Sequence, residues 1–332
     1  MLIRKNRFFD SFRCIAQRCP DSCCKEWDVQ VDEESARLYQ NLPGALGDEL
    51  RRVMTQNEDG DTVFTIVNRR CPMWREDSLC RIQAELGHDA LCKTCRDYPR
   101  LKHDYGDFVE YTLELSCPEA ARILLTSPWE DAIVQEIPGG EAPEYDREAM
   151  DILLRTRENM YSILSLDLPV ETVLTLGYLY AFHAQAQLDG GEETPFDIDS
   201  ALVFARDMAK AGNESALVDF YKALEILTPN WRNRLANPSS APWSEPILNL
   251  ARCGVERYWL QAVSDYDLIC RVKMVIASCL LVKTLGGDPV ETAQIYAKEI
   301  ENNADNVDAI LDAAYENPAF TDDKLLGLLL GV

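Results

Sequence analysis

The chain has 332 residues, enough to bury a sizeable core in one large or two ordinary domains. Its 33 Lys/Arg against 56 Asp/Glu leave a net charge of −23, and so acidic a surface repels phosphate backbones and anionic lipid, which speaks against nucleic acid as a partner. No apolar run approaches the roughly 20 residues needed to span a bilayer; the best, MVIASCLLV, is broken at once by Lys283, and no membrane association is expected.

The charge is uneven. Residues 1–125 carry 18 Lys/Arg against 22 Asp/Glu, whereas the remainder carries 15 against 34 and supplies −19 of the total. Solubility accounts for such an excess, and attraction of a cationic, lysine-bearing protein is the sharper reading. The opening MLIRKNRFFDSFRC has neither an apolar export core nor a cleavage site, so a cytoplasmic location is expected. In a reducing compartment, clustered cysteines point to metal or redox chemistry rather than structural disulfides.

In chain order, the stretch FRCIAQRCPDSCCKEW places Cys14, Cys19, Cys23 and Cys24 within eleven residues. WDVQVDEESARLYQNL reads as a short strand running into a helix, since alternating Trp27, Val29 and Val31 precede an acidic first turn. TVFTIV and DFVEYTLELS are β-rich and bounded by turn residues. Between them, CPMWREDSLCRIQAELGHDALCKTCRDYPR is polar and punctuated by cysteines, with one short helical segment around Gln83 to Leu86. A region this poor in long elements has little apolar core of its own, so bonds to a metal centre could supply stability that packing does not.

From Pro118 the pattern turns helical. PEAARILL opens with Pro and Glu, and SPWEDAIVQEI reads as a further helix after a break. Beyond the linker PGGEAPEYD, REAMDILLRTRENMYSIL sets Met150, Leu153, Leu154, Met160, Tyr161 and Leu164 on one face. Helices are also expected in VETVLTLGYLYAFHAQAQL, DSALVFARDMAKAG, ESALVDFYKALEIL, SEPILNLARCGVERYWLQAV, YDLICRVKMVIASCLLVKTLGG, PVETAQIYAKEIENN and NVDAILDAAYEN. The chain is therefore expected to be mainly α: a small cysteine-rich α+β metal-binding domain over residues 1–125, then an α-helical bundle or array over 126–332.

Nine of the twelve cysteines fall in the first 117 residues. Cys14, Cys19 and Cys23, four and five residues apart, can converge on one ion if the backbone turns around it, and neighbours Cys23 and Cys24 point in different directions, so one of them is free for a second role. Cys92 and Cys95 in CKTC have the two-residue gap of a metal knuckle, with Cys71 and Cys80 bracketing a loop ahead of it. Eight thiolates suffice for one or two tetrahedral zinc sites or iron–sulfur clusters, and spacing does not choose between them. A redox dithiol at CKTC and buried free thiols are the competing readings. Cys253, Cys270 and Cys279 sit among apolar helical residues and read as core packing.

FRCIAQRCPDSCCKEWDVQVDEES, CPMWREDSLCRIQAELGHDALCKTCRDYPR and the later ELSC resemble the bacterial flagellin lysine-N-methylases, and the cysteine pattern is similar to that of zinc- or iron-chelating domains with a Cys-Cys doublet. The similarity covers about residues 8–125, and its motifs recur together in one order. The resemblance implies methyl transfer to lysine ε-amino groups of flagellin, with S-adenosylmethionine as donor and an iron–sulfur cluster as the metal centre.

The residues themselves support the methylase idea only in part. A conventional donor site would show a Gly-rich strand-to-helix turn, and the glycine pairs PGGEAP, DGGEET and LGGDPV lie in linkers and helix ends. In CRDYPR beside the knuckle, Asp97 and Tyr98 are the candidates for handling the lysine proton, and Arg96 and Arg100 for holding a donor carboxylate or offsetting thiolate charge. Trp27 and Trp74 are expected to wall the metal site from water. His88 and His103 stand near cysteines as lesser ligand candidates, and His183 reads as a hydrogen-bonded core histidine. The alternative to an enzyme is a non-enzymatic zinc- or iron-binding module whose helical part docks a partner. Oligomeric state is not legible.

Overall fold

The computed structural model describes residues 1–332. Seven short strands all lie in the first 136 residues: β1 (Leu2–Lys5), β2 (Val29–Gln30), β3 (Met54–Gln56), β4 (Thr62–Phe64), β5 (Arg100–Asp104), β6 (Phe108–Leu113) and β7 (Ile133–Glu136). Among them run α1 (Glu33–Asn41), α2 (Gly44–Val53), α3 (Arg81–Leu86), α4 (Lys93–Asp97) and α5 (Pro118–Thr126). The remainder is helical: α6 (Arg147–Leu164), α7 (Val170–Leu188), α8 (Ile198–Met208), α9 (Glu214–Ala223), α10 (Pro229–Ala236), α11 (Glu245–Tyr258), α12 (Ile269–Leu285), α13 (Pro289–Tyr296), α14 (Ala304–Glu316) and α15 (Asp322–Leu330). The protein is mainly α, as its sequence leads one to expect.

Local chemistry sets these boundaries. Asp32 caps α1 by accepting from Ser35 N, and Asp146 caps α6 by accepting from Glu148 N and Ala149 N, satisfying donors that the first turn leaves open. Pro118, Pro229 and Pro289 occupy the start of α5, α10 and α13, where a missing N–H costs nothing. SPWEDAIVQEI does not form the expected helix. Its second half is β7, which pairs antiparallel with β1 (Leu2↔Glu136, Lys5↔Ile133), because the edge of β1 offers ladder partners that outweigh the acidic, helix-like start.

The strands build two sheets. One has the order β5-β6-β1-β7, with β1 parallel to β6 and the other pairs antiparallel; the other, β2-β4-β3, is antiparallel throughout. Two hydrophobic cores follow. The smaller gathers twelve buried residues around Val29, Tyr39, Leu50, Phe64, Met73 and Ile82, and includes Cys71 and Cys92. The larger gathers 61, among them Phe108, Leu113, Leu125, Leu153, Trp259 and Leu281. That larger core takes residues from both sides of position 125: α5 packs on α11 and α13, and Phe108 and Leu113 of β6 join the helical interior.

At its centre lies α12, which is buried on every side, with only the Lys283 position less than fully enclosed. It accordingly lacks an apolar stripe. Its charged residues all find partners: Lys273 Nζ lies 2.8 Å from Asp322 and donates to Ala314 O at 2.9 Å, Arg271 pairs with Asp265 at 2.8 Å, and Lys283 pairs with Glu214 at 2.8 Å. Gly254 lets α11 approach closely, since a Cβ there would stand 2.7 Å from a methyl of Val275. No helix is long and apolar enough to cross a membrane.

Candidate functional site

The N-terminal loop contains a single 3₁₀ turn, Ala16–Arg18, with Cys14 ahead of it and Cys19 directly after it. Ala16 N donates to Cys14 Sγ at 3.4 Å, and Cys19 Sγ donates to Asp21 O at 2.9 Å. The next segment is strapped across the chain: Cys71 N donates to Cys24 O at 2.8 Å, and Lys25 bridges to Arg70. Cys80 then faces Trp74 in a second bridge. The doublet and the later cysteines are thus brought together by main-chain pairing across nearly fifty residues.

Nine sulfurs gather, in two groups. Cys14, Cys19, Cys23 and Cys117 are near enough to act on one another's charge, and Cys24, Cys71, Cys80, Cys92 and Cys95 form the second set against the smaller core. The doublet faces both ways: Cys23 feels Cys14 and Cys117, whereas Cys24 acts on Cys71 and Cys80, and the two thiols hydrogen-bond to each other. That bond, with a lesser one to Ser22, lowers Cys24 to about 7 against the raising effect of burial; Cys23 is raised by the same bond and by burial. Burial pushes Cys71 up to about 12 and Cys117 up to about 11. Cys92 is lowered chiefly by the Cys95 thiol, which is itself raised.

Three of the nine, Cys80, Cys92 and Cys117, occupy the residue just ahead of a helix, at α3, α4 and α5. Backbone N–H groups of the first turns oppose the effect of burial there: those of Ile82 and Gln83 at Cys80, of Cys95 at Cys92, and of Glu119 and Ala120 at Cys117. Such donors hold thiolate charge in place. No three His, Cys, Asp or Glu side chains converge at ligand distance on one point. The sulfurs are gathered without being closed, and their chemistry, soft donors in sets of four and five, fits zinc or an iron–sulfur cluster.

The residues of CRDYPR take different places. Tyr98 is enclosed near Cys117 and Cys23, its OH 3.0 Å from Ser116 Oγ and its ring 6.1 Å from that of Trp27; burial, then Cys117 and Glu114, raise its hydroxyl. Asp97 is exposed and lies 3.9 Å from Arg96. Arg100 turns away, donating to Phe12 O at 3.3 Å and covering the rings of Phe9 and Phe12. Trp27 lies under Lys298 and Trp74 under Arg70 and Lys25, so both tryptophans do stand beside the cysteines, each with a cation over its ring. His88 is exposed, and His183 shares a 2.8 Å bond with Thr194 O. Cys253, Cys270 and Cys279 are buried in α11 and α12.

Lys298 joins the cysteine loop to the helices. It is 4 % exposed, pairs with Asp21 at 2.8 Å, and sits beside Gln294, which donates to Ser116 O at 2.7 Å.

A second feature escaped the sequence reading. A cavity of about 280 Å³ opens between the four-stranded sheet and α6 and α11, lined by Arg4, His103, Glu110, Trp129, Arg157 and Glu256 among others. Glu110 and Arg157 form a buried two-bond pair at 2.8 and 2.5 Å, 47 residues apart in the chain. The only trace in the sequence was a lone Glu in FVEYTL and an Arg on the apolar side of α6.

A flagellar biosynthetic protein, FliU, of Salmonella muenchen is 31 % identical over 162 residues, 47 % of this chain and 92 % of that relative. Lysine-N-methylases of Salmonella typhimurium and Salmonella choleraesuis are each 32 % identical, over 127 and 131 residues. The chain belongs to the flagellin lysine-N-methylase family. The matched part is 36 % of this chain and spans about a third, 32 %, of each lysine-N-methylase. No family model and no solved structure matches.

Proposed function

We propose that the chain is a metal-containing protein-lysine methyltransferase that acts on lysine ε-amino groups of flagellin with S-adenosylmethionine as donor. The observation that carries this reading is the gathering of nine thiols into two adjoining groups in a chain whose relatives bear the names of flagellar biosynthesis and lysine methylation. The thiols would hold an iron–sulfur cluster, with zinc as the alternative: Cys14, Cys19, Cys23 and Cys117 on one side of the doublet, Cys24, Cys71, Cys80 and Cys92 or Cys95 on the other.

Such a centre, when bound, supplies charge and a site for coordinating a ligand; the chain's own residues supply the rest. Methylation needs the amine neutral and in line with the sulfonium carbon, so that the nitrogen lone pair forms the N–C bond as the S–C bond breaks and a thioether leaves. Tyr98, bonded to Ser116 and close to Cys117 and Cys23, would orient a group rather than shed its own proton, since its hydroxyl is strongly raised.

The test is made on protein purified without oxygen. Iron, zinc and sulfide are measured, and flagellin is then incubated with protein and donor and examined for mass increments of one methylene on lysine. Brown, sulfide-bearing protein that adds these increments supports the reading. Metal-replete protein that never modifies flagellin favours the non-enzymatic metal module. Cys117→Ser is expected to lower metal content and Cys253→Ala to leave it unchanged, which separates ligand thiols from packed ones.

A further inference from the structure

The cavity between the sheet and α6 and α11 has a charge pattern that the cysteine centre does not explain. Its two arginines are already engaged: Arg157 by both oxygens of Glu110, and Arg4 by Glu110 at 3.3 Å and Glu158 at 2.6 Å. Two further carboxyls line it without a cation of their own. Asp131 stands exposed at the mouth. Glu256, from α11, lies deeper and receives only neutral donors, Asn6 Nδ2 at 3.1 and 3.0 Å and Thr112 Oγ1 at 2.6 Å.

Polar capacity is also left open. His103 Nε2 and Arg157 Nε, both shut off from solvent, have no hydrogen-bond partner, and Arg157 is 1 % exposed. An aromatic wall completes the lining, Trp129 and Tyr161 with ring centroids 5.4 Å apart. Carboxylate, aromatic faces and a free imidazole nitrogen are together what an alkylammonium requires: a counter-charge, a surface for its methylenes and cationic head, and an acceptor for its N–H.

We propose that this cavity binds the side chain of a peptidyl lysine, with Glu256 as its counter-charge, Trp129 and Tyr161 as its wall and His103 Nε2 as an acceptor. This assignment of the amine pocket rests on the lysine-methylation reading for its biological meaning, but binding can be measured without it. Burial, together with nearby Arg257 and Arg157, lowers His103 against the opposing pull of Glu110, which favours the neutral form that can accept. Burial likewise raises Glu256, as expected of a carboxyl that lacks its cation.

The experiment uses the full chain without methyl donor and two probes, N-acetyl-lysine methylamide and the analogue that lacks only its ε-amino group, N-acetyl-norleucine methylamide, with binding followed by calorimetry and by the fluorescence of the protein. The lysine probe is expected to bind saturably and the norleucine probe at least about ten-fold more weakly, as loss of one charge-assisted contact of about 1.4 kcal/mol would give. Glu256→Gln keeps the Asn6 and Thr112 bonds and is expected to weaken the lysine probe by a similar factor. Trp129→Leu, at the wall, serves as a second variant should the first not fold. Equal affinity for the two probes, or full affinity in both variants, overturns the proposal. If the lysine probe binds as described and flagellin is never methylated, the methylase reading fails and the cavity assignment stands; methylation untouched by Glu256→Gln has the reverse meaning.

Discussion

The two hydrophobic cores of this chain are built on different terms. The helical core has 61 buried residues around a central helix enclosed on all sides, and burial at about 25 cal/mol per Å² of apolar surface is ample to hold it. The smaller core has twelve, two of them cysteines, with Cys24, Cys80 and Cys95 packed against its edge. Where so few apolar side chains are available, sulfur takes positions that Leu or Ile would otherwise fill. The thiols of residues 24–95 thus contribute to packing in the small core as well as offering the donors of the proposed metal centre, whereas Cys253 and Cys279 lie wholly within the helical core.

Removing the proposed metal under reducing conditions should split the molecule most sharply. Structural thiolate sites contribute on the order of 10 kcal/mol to folding, so amides of α1, α2 and the β2-β4-β3 sheet are expected to lose hydrogen-exchange protection while those of α11 and α12 keep theirs. Uniform loss across both cores would end the contrast. Next in size is Arg157→Met, which leaves Glu110 only its 3.3 Å contact with Arg4; breaking a buried pair from one side costs about 3–5 kcal/mol, an upper bound here, read as a lower urea midpoint. Gly254→Ala should cost about 1–3 kcal/mol by pushing α11 off Val275, and a neutral result would mean that the helical core is looser than its burial indicates.

The smallest effect concerns Asp32, which caps α1 and also accepts from Lys93 N at 2.7 Å, so that it ties α1 to the cysteine knuckle. Burial raises its carboxyl, but the N–H groups of Lys93 and Ser35 outweigh this and bring it from 3.8 to about 2. A depressed folded value means that the contribution is complete above the ordinary value and is lost as pH falls through about 2. Asp32→Ala is expected to cost about 1 kcal/mol at neutral pH and to flatten the acid limb of the stability profile for the small core alone.

Much of this was legible beforehand. Helical periodicity located α6, α7, α11 and α12, because faces that repeat every three to four residues are local properties. Strands β1, β5 and β7 were not found, since LIRK, RLKHD and IVQE carry too few apolar positions to declare themselves and become strands only through one another. The cysteine motifs showed which thiols crowd the first part of the chain but not their grouping: Cys117 stands with Cys14 and Cys19, where Gln294 and Lys298 draw Ser116 and Asp21 together from the far end of the chain. The sheet–helix cavity was invisible for the same reason, as Asn6, Glu110, Arg157 and Glu256 share no window of sequence.

Strand β1 is paired on one edge with β6 and on the other with β7, so residues 2–5 wait for partners made more than a hundred positions later. On a ribosome adding about 5–20 residues per second, the thiols at positions 14–24 are exposed for several seconds before Cys117 emerges. Timing thus becomes part of the design: if these thiols hold the proposed metal, the first four must stay reduced and unclaimed until the others have been translated.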